Sequence, residues 1–252
     1  MAKQTTTRSG RYLYAIVAGA RDMIYGPFGV DNGVVYAISN GRISAVVSDV
    51  PNERIRPERR HIAAHHEVLK RLINKSTVIP MSFGIIANGH KAVKTILTRN
   101  QEDFLQQTRR IAGKVEMGVR VIWDVPNIFE YFVNTNSELK SARDQVFGTG
   151  RKPTQDEKIE VGRMFERIRN ENREIHTYKV EEILSRCCAE VKRNKCRNER
   201  EVMNLACLVE RSALAHFDTG IFEVARVFDN NFALNYHGPW APHNFVEIRL
   251  EI

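Results

Sequence analysis

The chain has 252 residues, a hydrophobic fraction of 42%, a net charge of +8 and four cysteines. This size allows one large or two ordinary domains with real cores. No apolar run is long enough to span a membrane, and Met1–Arg8 lacks the apolar segment of a secretory signal. We therefore expect a cytoplasmic protein with reduced cysteines and a short frayed tail at its N-terminus.

The first half of the chain alternates strand-like and helix-like hydrophobic patterns. Asn40-Gly41 favours the tight turn of a hairpin, and Pro80 indicates that its strand lies at a sheet edge or contains a bulge. The helix before Pro80 is expected to bury a stripe formed by Ile62, Leu69, Leu72 and Ile73. The predicted elements are strands at 12–17, 34–38, 43–47 and 77–86, a loop at 22–33, a helix at 57–74 and one long or broken helix at 92–111.

The second half predicts a ferredoxin-like arrangement. Thr154 and Glu157 have the spacing of a capping box that opens a long helix. The predicted order is strand, helices, strand, strand, helix and strand, which is that of ferredoxin-like folds. These elements are a strand at 115–123, helices at 128–146, from 154 to about 183 and at 212–228, and strands at 187–191, 202–209, 232–236 and from Phe245.

Together these patterns predict an α+β fold with two domains and an added C-terminal strand. The expected segments are an N-terminal α+β domain at 1–113, a ferredoxin-like C-terminal domain at 114–236, and an extended C-terminal turn and strand at 237–252. The loop at 147–153 lacks the spacing of a phosphate-binding motif, so we assign it no ligand.

The reactive side chains do not form a convincing catalytic or metal-binding group. His61 and His65 have the i, i+4 spacing that could bind a metal with a third ligand such as His90, but half-buried helix histidines are the simpler interpretation. The cysteines lack the paired spacing of zinc sites and indicate small buried side chains; they are Cys187, Cys188, Cys196 and Cys207. We therefore predict a protein that is not an enzyme and that uses no cofactor or metal.

A basic cluster is predicted at the tip of the hairpin in the second half. Its members are Lys192, Arg193, Lys195, Arg197 and Arg200. Because acidic residues flank the cluster and no aromatic side chain interrupts it, a solvated turn or a protein-docking patch is favoured over a nucleic-acid site. The residues before Ser212 are nevertheless strongly basic, since the rest of the chain has two basic and five acidic residues. Binding of nucleic acid is therefore the alternative function.

The most distinctive segment joins two strand-like runs near the end of the chain. Pro239 and Pro242 make this connection stiff and extended rather than helical. Trp240 lies between them and has two interpretations. It is either an anchor that docks a partner with little loss of entropy, or a side chain that fixes the terminal strand to the core.

Several sequence motifs resemble those of one known family, in the same order along the chain. The terminal run YHGPWAPHNFV resembles the C-terminal signature of the F/L family of gas vesicle accessory proteins. The earlier runs RYLYAIVAG, ISAVVSDVP, HHEVLKRLINKSTVIPMSFGII and GKVEMGVRVIWD are similar to that family's first strand, early hairpin arm, helix with following strand, and central strand. Each run is moderately specific, and the ordered set with Gly238-Pro239-Trp240 is strong.

This resemblance implies a cytoplasmic protein that is associated with gas vesicles, the gas-filled protein shells that provide buoyancy. It implies an accessory protein that binds the major shell protein and other accessory proteins and assists shell assembly, as a chaperone or a nucleating factor. No activity, membrane or nucleic acid is implied. The candidate contacts are Tyr236, Trp240 and Phe245 at the terminal strand, with Lys192, Arg193 and Lys195 steering the partner.

Overall fold

The computed structural model describes residues 9–19, 22–148 and 150–251, so the expected frayed tail at Met1–Arg8 lies outside the described part. The chain divides into two compact units. Unit 1 consists of Met1–Glu116 and Pro239–Ile252, and unit 2 is Met117–Gly238. These bounds differ from the predicted segments, because the last residues are part of unit 1 rather than a separate extended segment.

Unit 1 contains helices that pack on a sheet of antiparallel strands. The strand order is β2-β3-β4-β1-β5, and β6 also pairs with β1. Helix α1 contributes to the core on one face of this sheet, and α2 and α3 contribute to the core on the other. The elements are β1 (Ser9–Ala18), β2 (Ile24–Pro27), β3 (Val34–Ser39), β4 (Ile43–Pro51), α1 (Arg59–Ile73), β5 (Val78–Pro80), β6 (Ile86–Ala87), α2 (Gly89–Arg99) and α3 (Gln101–Ile111).

Strand β1 lies inside the sheet and contains a bulge. Its register with β4 shifts between Leu13 and Ala15. As a result Tyr14 and Ala15, which are neighbours in sequence, both join the core beside α1, whereas Leu13 and Ile16 join the opposite core. A regular strand would send neighbouring side chains to opposite faces. The bulge therefore adds Ala15 and Val17 to the face that Tyr12 and Tyr14 share beneath α1.

Two predictions for unit 1 are corrected in their details. The predicted strand at 77–86 is two short strands, β5 and β6, and Pro80 ends β5 at the edge of the main strand order. In α1, Ile62 is 36% exposed, while His61 and His65 are buried. The inward positions of the first turns of α1 are thus occupied by histidines, which an apolar pattern does not identify. The hairpin at Asn40 is confirmed, and the Asn40 Oδ1 atom accepts hydrogen bonds from the next turn amides.

Unit 2 contains a four-stranded sheet with the order β10-β7-β9-β8. Its helices pack on the sheet through a core that includes Trp123, Phe132, Phe217 and Leu184. The elements are β7 (Lys114–Trp123), α4 (Ile128–Thr135), α5 (Ser137–Phe147), α6 (Gln155–Leu184), β8 (Glu190–Arg193), β9 (Glu201–Glu210), α7 (Leu214–Ala225) and β10 (Phe232–Trp240). The single helix predicted at 128–146 is two helices, which are separated at Asn136.

Helix α6 begins with the predicted capping box. The Thr154 hydroxyl accepts from the Glu157 amide, and the Glu157 carboxylate accepts from the Thr154 amide. The Arg151 guanidinium also pairs with Glu157. Arg151 and the Thr154 amide hold the pKa of Glu157 at about 2, well below its usual range. The loop before α6 therefore contributes to the helix start.

Two of the four cysteines do not lie in the secondary structure that the sequence predicts. Cys187 and Cys188 lie in the turn after α6 rather than on a strand, and all four cysteines are free thiols. The Cys187 sulfur packs against α7 at Gly220, where an added Cβ atom would lie 2.8 Å from it. Burial raises the pKa of Cys187 to about 12, which keeps the thiol protonated and unreactive.

Candidate interaction surface

The three aromatic residues predicted to contact a partner differ in exposure. Tyr236 on β10 is 47% exposed and Trp240 at the end of β10 is 40% exposed, but Phe245 is fully buried. Phe245 belongs to a short 3₁₀ helix, His243–Phe245, and packs in the core of the chain. Of the three predicted contacts, Tyr236 and Trp240 are therefore partly exposed in this structure, and the ring of Phe245 is inaccessible.

The residues after Phe245 are held by unit 1 without forming the predicted strand. Within the described part of the chain, no strand follows Trp240. Val246, Ile248 and Leu250 pack against the core beside α2 and α3. The Glu116 carboxylate accepts from both the backbone and the side-chain amides of Asn244, at 2.8 and 2.6 Å. The C-terminal segment is therefore tied down along its length.

Asn100, at the junction of α2 and α3, is the main polar anchor of this segment. It is 2% exposed, and its amide nitrogen donates to the carbonyls of Ile96 and Glu251. Its Oδ1 atom accepts from the Glu251 amide at 2.9 Å. The Asn100 side chain thus forms both backbone hydrogen bonds of Glu251 that a residue on a neighbouring strand would form. Sequence reasoning missed Asn100, because its partner is distant in sequence and no local pattern links the two.

Replacing Asn100 with alanine is expected to destabilise unit 1 by about 2 kcal/mol, because buried polar groups lose their partners. The last residues should detach before the rest of the fold. Urea unfolding would give the stability, and amide hydrogen exchange would show selective loss of protection at Glu251. The exposed neighbour Arg99→Ala serves as the control. Unchanged exchange at Glu251 would show that Asn100 is not the anchor.

The basic cluster is engaged largely within unit 2. Arg193 forms ion pairs with Glu174 and Glu181 on α6, at 2.7 and 2.6 Å. These carboxylates raise the pKa of Arg193 further above its usual value. Lys192 lies 3.9 Å from Glu190, and Lys195 is exposed. Lys195 is therefore exposed, whereas Arg193 and Lys192 each lie beside carboxylates.

The turn between β8 and β9 is fixed by two arginines and one buried carboxylate. Arg173 on α6 donates to three carbonyls, those of Asn198, Glu199 and Glu201. Arg200 donates to the carbonyls of Val125 and Pro126. The Glu201 side chain is 1% exposed and accepts from the Arg197 amide. The guanidinium groups of Arg173 and Arg200 are thus engaged by backbone carbonyls, which leaves fewer charges of this region for a phosphate-binding surface.

His61 is bound to protein groups on both ring nitrogens. Its Nδ1 atom lies 2.9 Å from the Arg56 carbonyl and its Nε2 atom lies 3.0 Å from the Asp31 carboxylate. Both partners only accept hydrogen bonds, so the ring satisfies both when it is protonated. The Arg56 carbonyl and then Asp31 raise the pKa of His61.

His65 lies one turn further along α1, and its pKa is shifted in the opposite direction to that of His61. Its Nδ1 atom lies 2.9 Å from the Tyr12 hydroxyl, and its buried Nε2 atom has no hydrogen-bond partner among the described residues. Burial, with a smaller contribution from neighbouring histidines, lowers the pKa of His65 to about 4. His90 is exposed on α2. Among the described residues, no group of three or more histidine, cysteine or acidic side chains is arranged to hold a metal ion.

His237 on β10 lies against the glycine of the neighbouring strand. Its Nδ1 atom donates to the Gly118 carbonyl at 3.1 Å. A Cβ atom added at Gly118 would overlap the His237 ring. Gly118 is therefore needed for this close approach, which fixes β10 to β7 on its inner side.

None of the helices in the described residues is long and apolar enough to cross a membrane.

Comparisons with known proteins agree on one family. The sequence model of gas vesicle synthesis protein GvpL/GvpF matches residues 10–247. Gas vesicle protein F of a Streptomyces species is 27% identical over 241 residues, covering 94% of this chain and 99% of that protein. Gas vesicle protein F2 of Halobacterium salinarum is 27% identical over 250 residues, covering 97% and 95%.

Solved structures give the same result for the fold. The crystal structure of the gas vesicle protein GvpF from an Anabaena species superposes with a TM-score of 0.82 at 23% identity, covering 96% of this chain and 99% of that one. The structure of GvpF from Microcystis aeruginosa gives a TM-score of 0.79 at 20% identity, covering 95% and 99%. The resemblance inferred from the sequence motifs is confirmed, and the chain belongs to the GvpL/GvpF family of gas vesicle synthesis proteins.

Proposed function

We propose that this protein assists assembly of the gas vesicle shell by binding the major shell protein, as a chaperone-like or nucleating accessory protein. Membership of the gas vesicle family supports a role in these structures. The observation that carries the binding proposal is Trp240, a large aromatic side chain that is 40% exposed between two prolines. Such a rigid aromatic group loses little conformational entropy when it docks.

The physical need for such a protein follows from the shell itself. A subunit that lines a gas space must present an apolar face, and before assembly this face promotes aggregation. An accessory protein that covers this face would keep the subunit competent for assembly. We place this activity in the cytoplasm, in association with the vesicle and its other accessory proteins, and we propose no catalytic step or cofactor.

We also infer that unit 2 has a ferredoxin-like topology. Its elements follow the order strand, helices, strand, strand, helix, strand. Numbered within the unit, the strands lie in the order fourth, first, third, second across an antiparallel sheet. This combination supports the β-α-β-β-α-β motif.

Trp240→Ala tests the proposal. We expect the variant to fold and to bind the shell protein about tenfold more weakly, because a central aromatic anchor typically accounts for more than 1 kcal/mol of binding. The measurement is recovery of shell protein with the tagged variant from the native host, at low and high salt. Phe222→Ala is the matched control, since Phe222 is another exposed aromatic residue, 70% accessible on α7.

Two results would count against the proposal. Equal recovery by the wild type and Trp240→Ala would remove Trp240 from the binding surface. Recovery of nucleic acid that disappears with salt, without shell protein, would favour the alternative function.

A further inference from the structure

The open edges of the two sheets differ in how well they are protected. The main strand orders end at β2 and β5 in unit 1 and at β8 and β10 in unit 2. An edge strand presents backbone amides and carbonyls that can pair with another extended chain. Proteins usually block such edges with bulges, prolines, charged side chains or short strands. The presence or absence of these features therefore identifies an edge that is available for pairing.

Three of these edges carry blocking features. In β2 the register shifts between Ile24 and Gly26, and the strand ends at Pro27. Strand β5 has three residues and ends at Pro80. Strand β8 has four residues, three of which are charged, in the run Glu-Val-Lys-Arg. Each of these strands is thus a poor template for an added strand.

Strand β10 lacks this protection over most of its length. It has nine residues, Phe-Ala-Leu-Asn-Tyr-His-Gly-Pro-Trp, none of which carries a formal charge when histidine is neutral. The residues from Asn235 to Gly238 are exposed. The contact of His237 with Gly118 fixes one side of β10 to β7. Its other side is the edge of the sheet, and Gly238-Pro239 interrupts it only near the end.

We propose that the outer edge of β10 binds an extended, uncharged strand of a partner protein, which extends the sheet of unit 2 by one strand. Backbone hydrogen bonds supply the affinity, and Tyr236 supplies apolar contact beside them. The occupant is an extended polypeptide because a second backbone in register pairs with the alternating amides and carbonyls of a strand edge. It is uncharged because β10 offers no charged side chain to pair with. The inference rests on the proposed function, in which the partner is the shell subunit.

A lysine on this edge tests the inference. Overlapping 15-residue peptides that cover the host's major shell protein, each with a fluorescent label, are titrated with the full-length protein and followed by fluorescence anisotropy. We expect one or more peptides to bind the wild type and to bind Asn235→Lys at least tenfold more weakly. Ala225→Lys adds the same charge at an exposed position on α7 and should bind like the wild type. Thermal unfolding and circular dichroism establish that both variants fold.

The outcomes separate this inference from the proposed function. Equal peptide binding by Asn235→Lys and the wild type would overturn the edge inference while the proposed function stands. The same conclusion follows if no peptide binds although the tagged protein recovers intact shell protein. A wild-type dimer that Asn235→Lys dissociates would show that a second copy occupies the edge, which also overturns the inference. Failure of both the peptides and the recovery experiment would refute the proposed function and, with it, this inference.

Discussion

Replacing Gly29 with alanine is expected to destabilise unit 1 by about 3 kcal/mol, at the upper end of the range for an overpacked site. An added Cβ atom would lie 2.6 Å from the Tyr14 hydroxyl oxygen and 2.8 Å from the Gly33 carbonyl oxygen. Tyr14 is fully buried, and its hydroxyl accepts from the Val30 amide at 2.7 Å and pairs with Ser48 at 2.8 Å. The new methyl group therefore forces the backbone at Gly33 to move and disrupts the buried hydrogen bonds of the Tyr14 hydroxyl.

Chemical denaturation of Gly29→Ala measures this cost. Gly162→Ala is the matched control, because Gly162 lies within α6 and, apart from the helix's own backbone, no atom of the described residues lies within 4 Å of an added Cβ there. That change should stabilise the protein by about 0.5–1 kcal/mol, since alanine favours a helix over glycine. Combining Gly29→Ala with Tyr14→Phe, which removes the hydroxyl, tests the contact itself, and the two effects should not add. Additive effects would place the strain elsewhere.

Acidification below neutral pH is expected to destabilise the protein through His65. Burial lowers the pKa of His65 to about 4 in the folded state, against an ordinary value of 6.5. The unfolded chain therefore binds more protons than the folded chain between these two values. Stability should be fully present above pH 6.5 and should fall as the pH decreases toward 4, by about 3 kcal/mol in total.

Urea unfolding of the wild type and His65→Gln from pH 7.5 to 4.5 measures this effect. Glutamine keeps a hydrogen-bonding group near Tyr12 but cannot titrate, so the pH dependence should flatten in the variant. His61→Gln is the control of opposite sign. The pKa of His61 is raised, so its contribution is present below pH 6.5 and is lost as the pH rises through the folded value. Parallel curves for the wild type and His65→Gln would contradict the assignment.

Local patterns predicted the parts of the structure that depend on neighbouring residues. The capping box at Thr154, the hairpin at Asn40 and the strand before Asp124 all follow from short-range chemistry, and each is present. The bulge in β1 could not be predicted in this way. It becomes apparent only from the pairing of β1 with β4 and from the core that Tyr14 and Ala15 join together, which involve residues from several parts of the chain.

The candidate surface was predictable only in part. The proline-flanked Trp240 is visible in the sequence, and its side chain is 40% exposed in the structure. Phe245 has the same apolar character but is buried, because the chain forms a 3₁₀ turn there instead of the expected strand. Similarly, the charge of Arg193 is evident from sequence, whereas its two carboxylate partners on α6 become apparent only from the fold.

The return of the C-terminal segment to unit 1 has a consequence for synthesis on the ribosome. Residues 117–238 form unit 2, whereas residues from Pro239 onward complete unit 1. Unit 1 therefore starts to emerge first but is completed last, after a delay of roughly 6 to 25 s at ordinary translation rates. During that delay the core side chains of unit 1 that later contact Val246, Ile248 and Leu250 are without these contacts. The nascent chain thus has a period in which unit 2 is being synthesised while unit 1 still lacks the segment from Pro239 onward.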